Sequence, residues 1–134
     1  MPDPFTDVPG YSEPVVFCGD VPSFHDSEIV SLHLNREGIS QLVIRMFGHR
    51  RANATDHVQQ PFVPLDGTVV PFSLEDVEDL ELDGFGIQNV ISALSLERAE
   101  RGFQLKMWPC YGISGWLQAG KVRIEFAPAR VDRI

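Results

Sequence analysis

The sequence predicts a single domain of mainly-β class: an antiparallel sheet or sandwich of about seven or eight short strands, with room for one short helix. Two observations carry this. Apolar and polar residues alternate in several runs, most cleanly over residues 28–36, 40–47 and 103–108. Glycine and proline punctuate the spaces between those runs, and no heptad, internal repeat or low-complexity tract competes with the strand reading. An α+β alternative, with a helix near residues 87–101, stays open at this level. The 134 residues are the length of one domain. Such a chain buries about two-thirds of its extended surface, so folding requires neither disulfides nor metal.

Taken in order, residues 1–22 hold Pro2, Pro4, Pro9, Pro14 and Pro22. Each proline removes a backbone donor, so this stretch reads as an N-terminal arm laid over a body of residues 23–134, with at most a short edge strand over 14–18. In 28–36, Val30, Leu32 and Leu34 share one face and Ser31, His33 and Asn35 the other. Gly38 ends a turn, and in 40–47 Leu42, Ile44 and Met46 oppose Val43, Arg45 and Phe47. These two runs form the best hairpin in the chain. Residues 48–60 are polar and read as a long loop. A strand over 68–74 tolerates Pro71 only at an edge or a bulge.

Two stretches carry both periodicities. Leu74, Val77 and Leu80 recur every third residue behind Ser73, as in a capped helical turn, yet Leu80 and Leu82 alternate with Glu81 and Asp83. Ile87, Val90, Ile91 and Leu94 fit a helix, whereas Ser92, Leu94, Leu96 and Arg98 fit a strand. The strand reading is preferred for both, because Phe103, Leu105 and Met107 begin a clean strand directly after Arg101-Gly102, as across a hairpin. Residues 116–117, a turn at Gly120 and residues 122–126 make a last hairpin, which Pro128 interrupts before 129–134 continue it.

There are 19 acidic and 11 basic residues, for a net charge of −8. Phosphate backbones and anionic membrane surfaces repel such a protein, so neither nucleic acid nor membrane is expected as a partner. The charge serves solubility, or it steers a basic protein onto the surface. No apolar run approaches the roughly 18 residues of a membrane span. The N-terminus lacks the charged and apolar regions of a secretory leader, which predicts a cytoplasmic protein. Cys18 and Cys110 are isolated from each other and from any His/Cys cluster, so they read as reduced thiols, with a pairing between them left open.

Few residues suggest chemistry. Phe24-His25-Asp26-Ser27-Glu28 places an imidazole and two carboxylates just before the first strand. That set suits a metal ligand group or a general acid/base pair, but it equally suits a turn in which Asp26 and Ser27 bond to the backbone. No nucleophile elbow, zinc-protease motif or P-loop is present, so no catalytic residue and no cofactor is implied. Gly84-Phe85-Gly86 reads as a flexible turn that the Asn89 side chain closes. Glu75, Asp76, Glu78, Asp79, Glu81 and Asp83 put six carboxylates into nine residues. With the neighbouring aromatics Trp108, Tyr111 and Trp116, Glu75, Asp76, Glu78 and Asp79 are the candidate partner-binding residues. A structural β domain, dimerising through an exposed sheet edge, is the remaining alternative.

Three segments in order carry a resemblance. They are Val21-Pro-Ser-Phe-His-Asp-Ser-Glu-Ile-Val-Ser-Leu, Phe72-Ser-Leu-Glu-Asp-Val-Glu-Asp-Leu-Glu-Leu-Asp-Gly-Phe and Gln88-Asn-Val-Ile. Together they resemble the immunity protein 50 family of bacterial polymorphic-toxin systems, over roughly residues 20–130. The resemblance implies a β-rich fold and a role in neutralising a cognate toxin by binding it. It carries over to Phe24, His25, Asp26, Glu28, Phe85 and Asn89, for which it implies no catalytic role.

Overall fold

The computed structural model describes residues 4–19, 21–52, 56, 58–65 and 67–126, and across them the mainly-β expectation holds. The strands are β1 (Ser27–His33), β2 (Ile39–Met46), β3 (His49–Arg51), β4 (Phe62–Pro64), β5 (Thr68–Asp83), β6 (Val90–Ala99), β7 (Gly102–Tyr111) and β8 (Ser114–Ile124). Six of them close an antiparallel barrel in the order β1-β2-β5-β8-β7-β6, and β3 pairs with β4 as a separate ribbon. Closure satisfies the backbone groups that an open sheet would leave at its edges. It is narrowest between β1 and β6, where only Ser27↔Ile91 and Glu28↔Val90 are in register.

The predicted hairpin is β1–β2, with Leu32 opposite Leu42 and Ile29 opposite Ile44. Leu42, Ile44 and Met46 point into the core as expected. In β1 the phase differs. A bulge at Val30, between Ile29 and Ser31, turns Val30 outward and brings Ile29 inward. The strand also ends at His33, leaving Leu34 exposed.

Both ambiguous stretches are strands. β5 runs unbroken from Thr68 to Asp83, and β6 covers residues 90–99 where a helix was the alternative. Their three-residue spacings come from irregularities in the ladders. Asp76 takes a left-handed conformation (φ +55°), which sets Leu74 and Val77, three apart, toward the interior. Glu78 is then the extra residue of a bulge, so Val77 pairs with Ala119 but Asp79 pairs with Gln118. β6 carries two register shifts against β7, on either side of Ile91. Each inserted residue stretches a spacing of two into three, which imitates a helix in sequence.

Three local expectations are corrected. Gly120 is no turn: β8 passes straight through it, and the missing side chain makes room for Asp76 on β5, since a Cβ there would lie 3.1 Å from the Asp76 Cβ. Pro71 sits in an interior strand, at neither an edge nor a bulge. Its carbonyl accepts the Glu125 N–H (2.9 Å), just past the end of β8, so its missing donor falls beyond the ladder. Residues 49–51 form β3 inside the expected loop 48–60. The expected continuation over 129–134 lies outside the described residues.

The N-terminal arm also differs from expectation. A 3-10 turn (Pro4–Asp7) leads into α1 (Ser12–Cys18), so residues 14–18 are helical instead of an edge strand. Pro14 lies in the first helical turn, where a backbone N–H has no partner to lose, and Gly19 ends the helix in left-handed conformation with its N–H on the Val15 carbonyl (2.9 Å). The arm supplies core. Phe5 stacks on Tyr11 (5.6 Å between centroids) and meets Phe24 (6.3 Å), which packs edge-on against the buried Phe72 (5.9 Å). Asp7 pairs with Arg98 on β6, and Pro9 accepts the Ile124 N–H (2.8 Å). The arm therefore seals the barrel end where β8 finishes. The opposite end carries the β1–β2 turn, the β5–β6 loop and the β7–β8 connection.

Phe72 is fully buried and joins the arm's aromatics to the barrel interior. Phe72→Ala should lower unfolding stability by about 3–5 kcal/mol, whereas Val16→Ala on the exposed face of α1 should change it by less than about 0.5 kcal/mol. Urea unfolding of both variants measures this.

Candidate functional site

The barrel register turns the scattered candidates into rows. Leu80, Leu117, Leu105 and Leu96 lie side by side across β5, β8, β7 and β6, and all but Leu80 are buried. Successive residues of a strand face opposite ways, so the two flanking rows face outward. One is Glu81–Trp116–Lys106–Ser95 and the other Asp79–Gln118–Gln104–Glu97. Trp108 stands one outward position beyond Lys106. Its indole Nε1–H donates to the Ser95 hydroxyl (3.1 Å), and the Lys106 ammonium lies 4.0 Å above its ring. The result is an exposed face with carboxylates along β5 and two tryptophans in the adjacent strands. The Trp108 indole is held by that hydrogen bond and cation–π contact, and Trp116 is partly buried beside Lys106 in the ladder.

Asp79, Trp108 and Trp116 belong to this face; the other predicted partner-binding residues do not. Glu75 is half-buried opposite Lys121, Asp76 occupies the kink, and Glu78 reaches Arg101 in the β6–β7 turn (3.8 Å). Tyr111 projects at the barrel end, 62% exposed. Glu81 completes the face. It belongs to the acidic block of the sequence, but only the register with Trp116 reveals its place.

The motif residues before β1 divide between core, surface and turn. Phe24 is core. The turn from Phe24 to Ser27 is closed by the backbone, with the Ser27 N–H on the Phe24 carbonyl (3.1 Å). The expected side-chain caps are not formed. Asp26 adopts φ +64° and its carboxylate meets His25 (3.2 Å), while the buried Ser27 hydroxyl has no hydrogen-bond partner among the described residues. His25 and Asp26 are 65% and 64% exposed, so their attraction is screened by water. Glu28 pairs across the ladder with Arg45 (3.5 Å). The pair stands at the rim of an open cleft of about 610 Å³ shared with Cys18, His49 and Arg50. Among the described residues no group of three or more His, Cys, Asp and Glu side chains is placed to hold a metal ion.

Arg50 is fixed beside that cleft by two hydrogen bonds to Asp56 (2.9 and 2.7 Å), which hold its guanidinium charged, and it lies 4.8 Å from the Phe17 ring. Burial pushes the Cys18 thiol above its ordinary value, against a smaller opposing pull from Arg50. Both cysteines are free, Cys18 buried and Cys110 exposed.

Asn89 closes the Gly84–Gly86 turn as predicted and does more. Its Oδ1 accepts the N–H of Gly86 (2.9 Å) and of Ile113 (3.2 Å), and its Nδ2 donates to the Gly86 carbonyl (2.9 Å). Its own carbonyl accepts the Ile29 N–H of β1 (2.7 Å). Phe85, by contrast, points to solvent, 57% exposed. No protein-family model, curated protein or solved structure matches the chain.

Two outcomes follow from this geometry. Asp26→Ala should cost about 1 kcal/mol and Asp26→Gly much less, because the position demands a left-handed backbone and not a carboxylate. Thermal melts of the two variants separate these. Iodoacetamide at about pH 8 should modify Cys110 in the native protein while leaving Cys18 largely intact, since burial and a raised pKa both deplete accessible thiolate. Peptide mapping after timed alkylation reads this, and equal rates would contradict it.

Proposed function

We propose that this chain is a non-catalytic binding protein that captures a basic protein partner on the outer face of β5, β8 and β7. The observation that carries this reading is the juxtaposition of Asp79 and Glu81 with the exposed Trp108 and the partly buried Trp116 on one outward face. Among the described residues neither carboxylate has an ion-pair partner, so their field is available to steer an approaching cation. The indoles supply rigid apolar area at the centre, the arrangement that dominates affinity in protein interfaces.

The resemblance to the immunity protein 50 family supplies the class of partner: a toxin domain, neutralised in the cytoplasm by steric and electrostatic blockade and without a cofactor. That assignment rests on the three sequence segments, and the acidic surface agrees with it. Among the described residues no helix is long and apolar enough to cross a membrane.

The test is co-expression with the product of the neighbouring gene, followed by binding kinetics. Survival of the cells and a purified complex support the reading. Asp79→Asn with Glu81→Gln should slow association about tenfold at low salt and much less at high salt, because steering is screened. Trp116→Ala should instead speed dissociation. Equal association rates for wild type and the amide variant at low salt would place the interface elsewhere.

A further inference from the structure

The barrel end opposite the arm exposes apolar side chains on a scaffold built to hold them still. Ile87 is fully exposed, and Phe85 and Tyr111 are more than half exposed. All three flank the same pair of connections. Gly84 packs so close to Gly112 that a Cβ would lie 2.6 Å from the Gly112 carbonyl oxygen, and a Cβ on Gly112 would strike Gln88 and Asn89. Both glycines have positive φ (+79° and +80°), so the approach admits no side chain at either position. The buried Asn89 amide then bonds to Gly86 on one connection and Ile113 on the other. Exposed apolar residues on mobile loops need no explanation. Here two glycines and a buried amide are committed to a fixed display, and a fixed apolar anchor loses little entropy on binding.

Charge decides what such a tip fits. The acidic half of β5 runs directly into it, with Asp83 two residues before Phe85 and Glu81 one outward position earlier. A second copy of a chain carrying net charge −8 would bring these carboxylates against their equivalents. An apolar pocket rimmed by lysine or arginine has the complementary pattern. We infer that the 84–88 loop, with Phe85 and Ile87, inserts into an apolar pocket bordered by basic residues on the partner protein. The inference deepens the proposed function and rests on it: the tryptophan face would hold the partner's flank while the tip enters its cleft.

Site-specific photo-crosslinking tests this in native cells, with p-benzoylphenylalanine placed at Phe85, at Gln118 on the outer face, or at the exposed Val16 on α1 as control. The crosslinked protein is identified, purified and titrated against the unlabelled chain. Expected is an adduct from the Phe85 position, absent from Val16, to a basic protein whose affinity falls about ten- to thirtyfold in Phe85→Ala/Ile87→Ala. Both side chains are exposed, so the variant should melt with wild type. Adducts from Gln118 alone, or an affinity unchanged by the double substitution, would overturn the tip while leaving the face. A self-adduct would replace the basic partner with a second copy. Adducts from neither position would overturn both.

Discussion

One buried amide organises the end of this barrel. Asn89 is 3% exposed, and its side chain bonds to the β5–β6 loop and to the β7–β8 connection while its backbone carbonyl receives β1. Three chain segments distant in sequence therefore meet on one residue, beside the two-residue ladder between β1 and β6 where the barrel closes. An unsatisfied donor or acceptor there would cost about 1–3 kcal/mol, so the groups form together or not at all. The fixed tip and the narrow seam are two consequences of the same bonds.

The seam also explains how the surface is arranged. With β6 joined to β1, the sheet β5-β8-β7-β6 wraps so that a leucine row, buried except at Leu80, separates two outward rows. That alternation lifts Glu81, Trp116 and Lys106 into line and leaves Trp108 fixed beside them. At the other end, Phe5, Tyr11, Phe24 and Phe72 fill the mouth with aromatic rings. One end of the barrel is thus committed to stability, and the other is free to present side chains.

Much of the fold was legible where the chain is regular. The β2 and β7 alternations and the β6–β7 connection at Arg101-Gly102 follow from period two alone, as does the class. Irregularity blurs the pattern elsewhere. Leu74, Val77 and Leu80 carry a helical spacing because a left-handed Asp76 changes the facing between Leu74 and Val77 without shifting the register, and a bulge at Glu78 adds a residue before Leu80. Val30 was placed on the wrong face by a single bulge in β1. Five prolines in the arm concealed a helix, since Pro14 falls in the one turn where proline is tolerated. At the candidate site, the aromatic and acidic residues were visible in sequence, but their grouping depends on barrel register, which no local pattern encodes. Ile87 fits the helical stripe that competes with the preferred strand reading. Its position between Gly86 and Gln88-Asn89 was the available signal that it belongs to a displayed loop.

The most direct test of this account is residue-resolved amide hydrogen exchange in the wild type and in Asn89→Ala. The account predicts that the Gly86 and Ile113 amides are protected in the wild type despite lying in connections, and that both lose protection together in the variant while the Ile44 and Phe72 amides stay slow. Rapid exchange at Gly86 and Ile113 in the wild type, or protection that survives the loss of the Asn89 side chain, would contradict it.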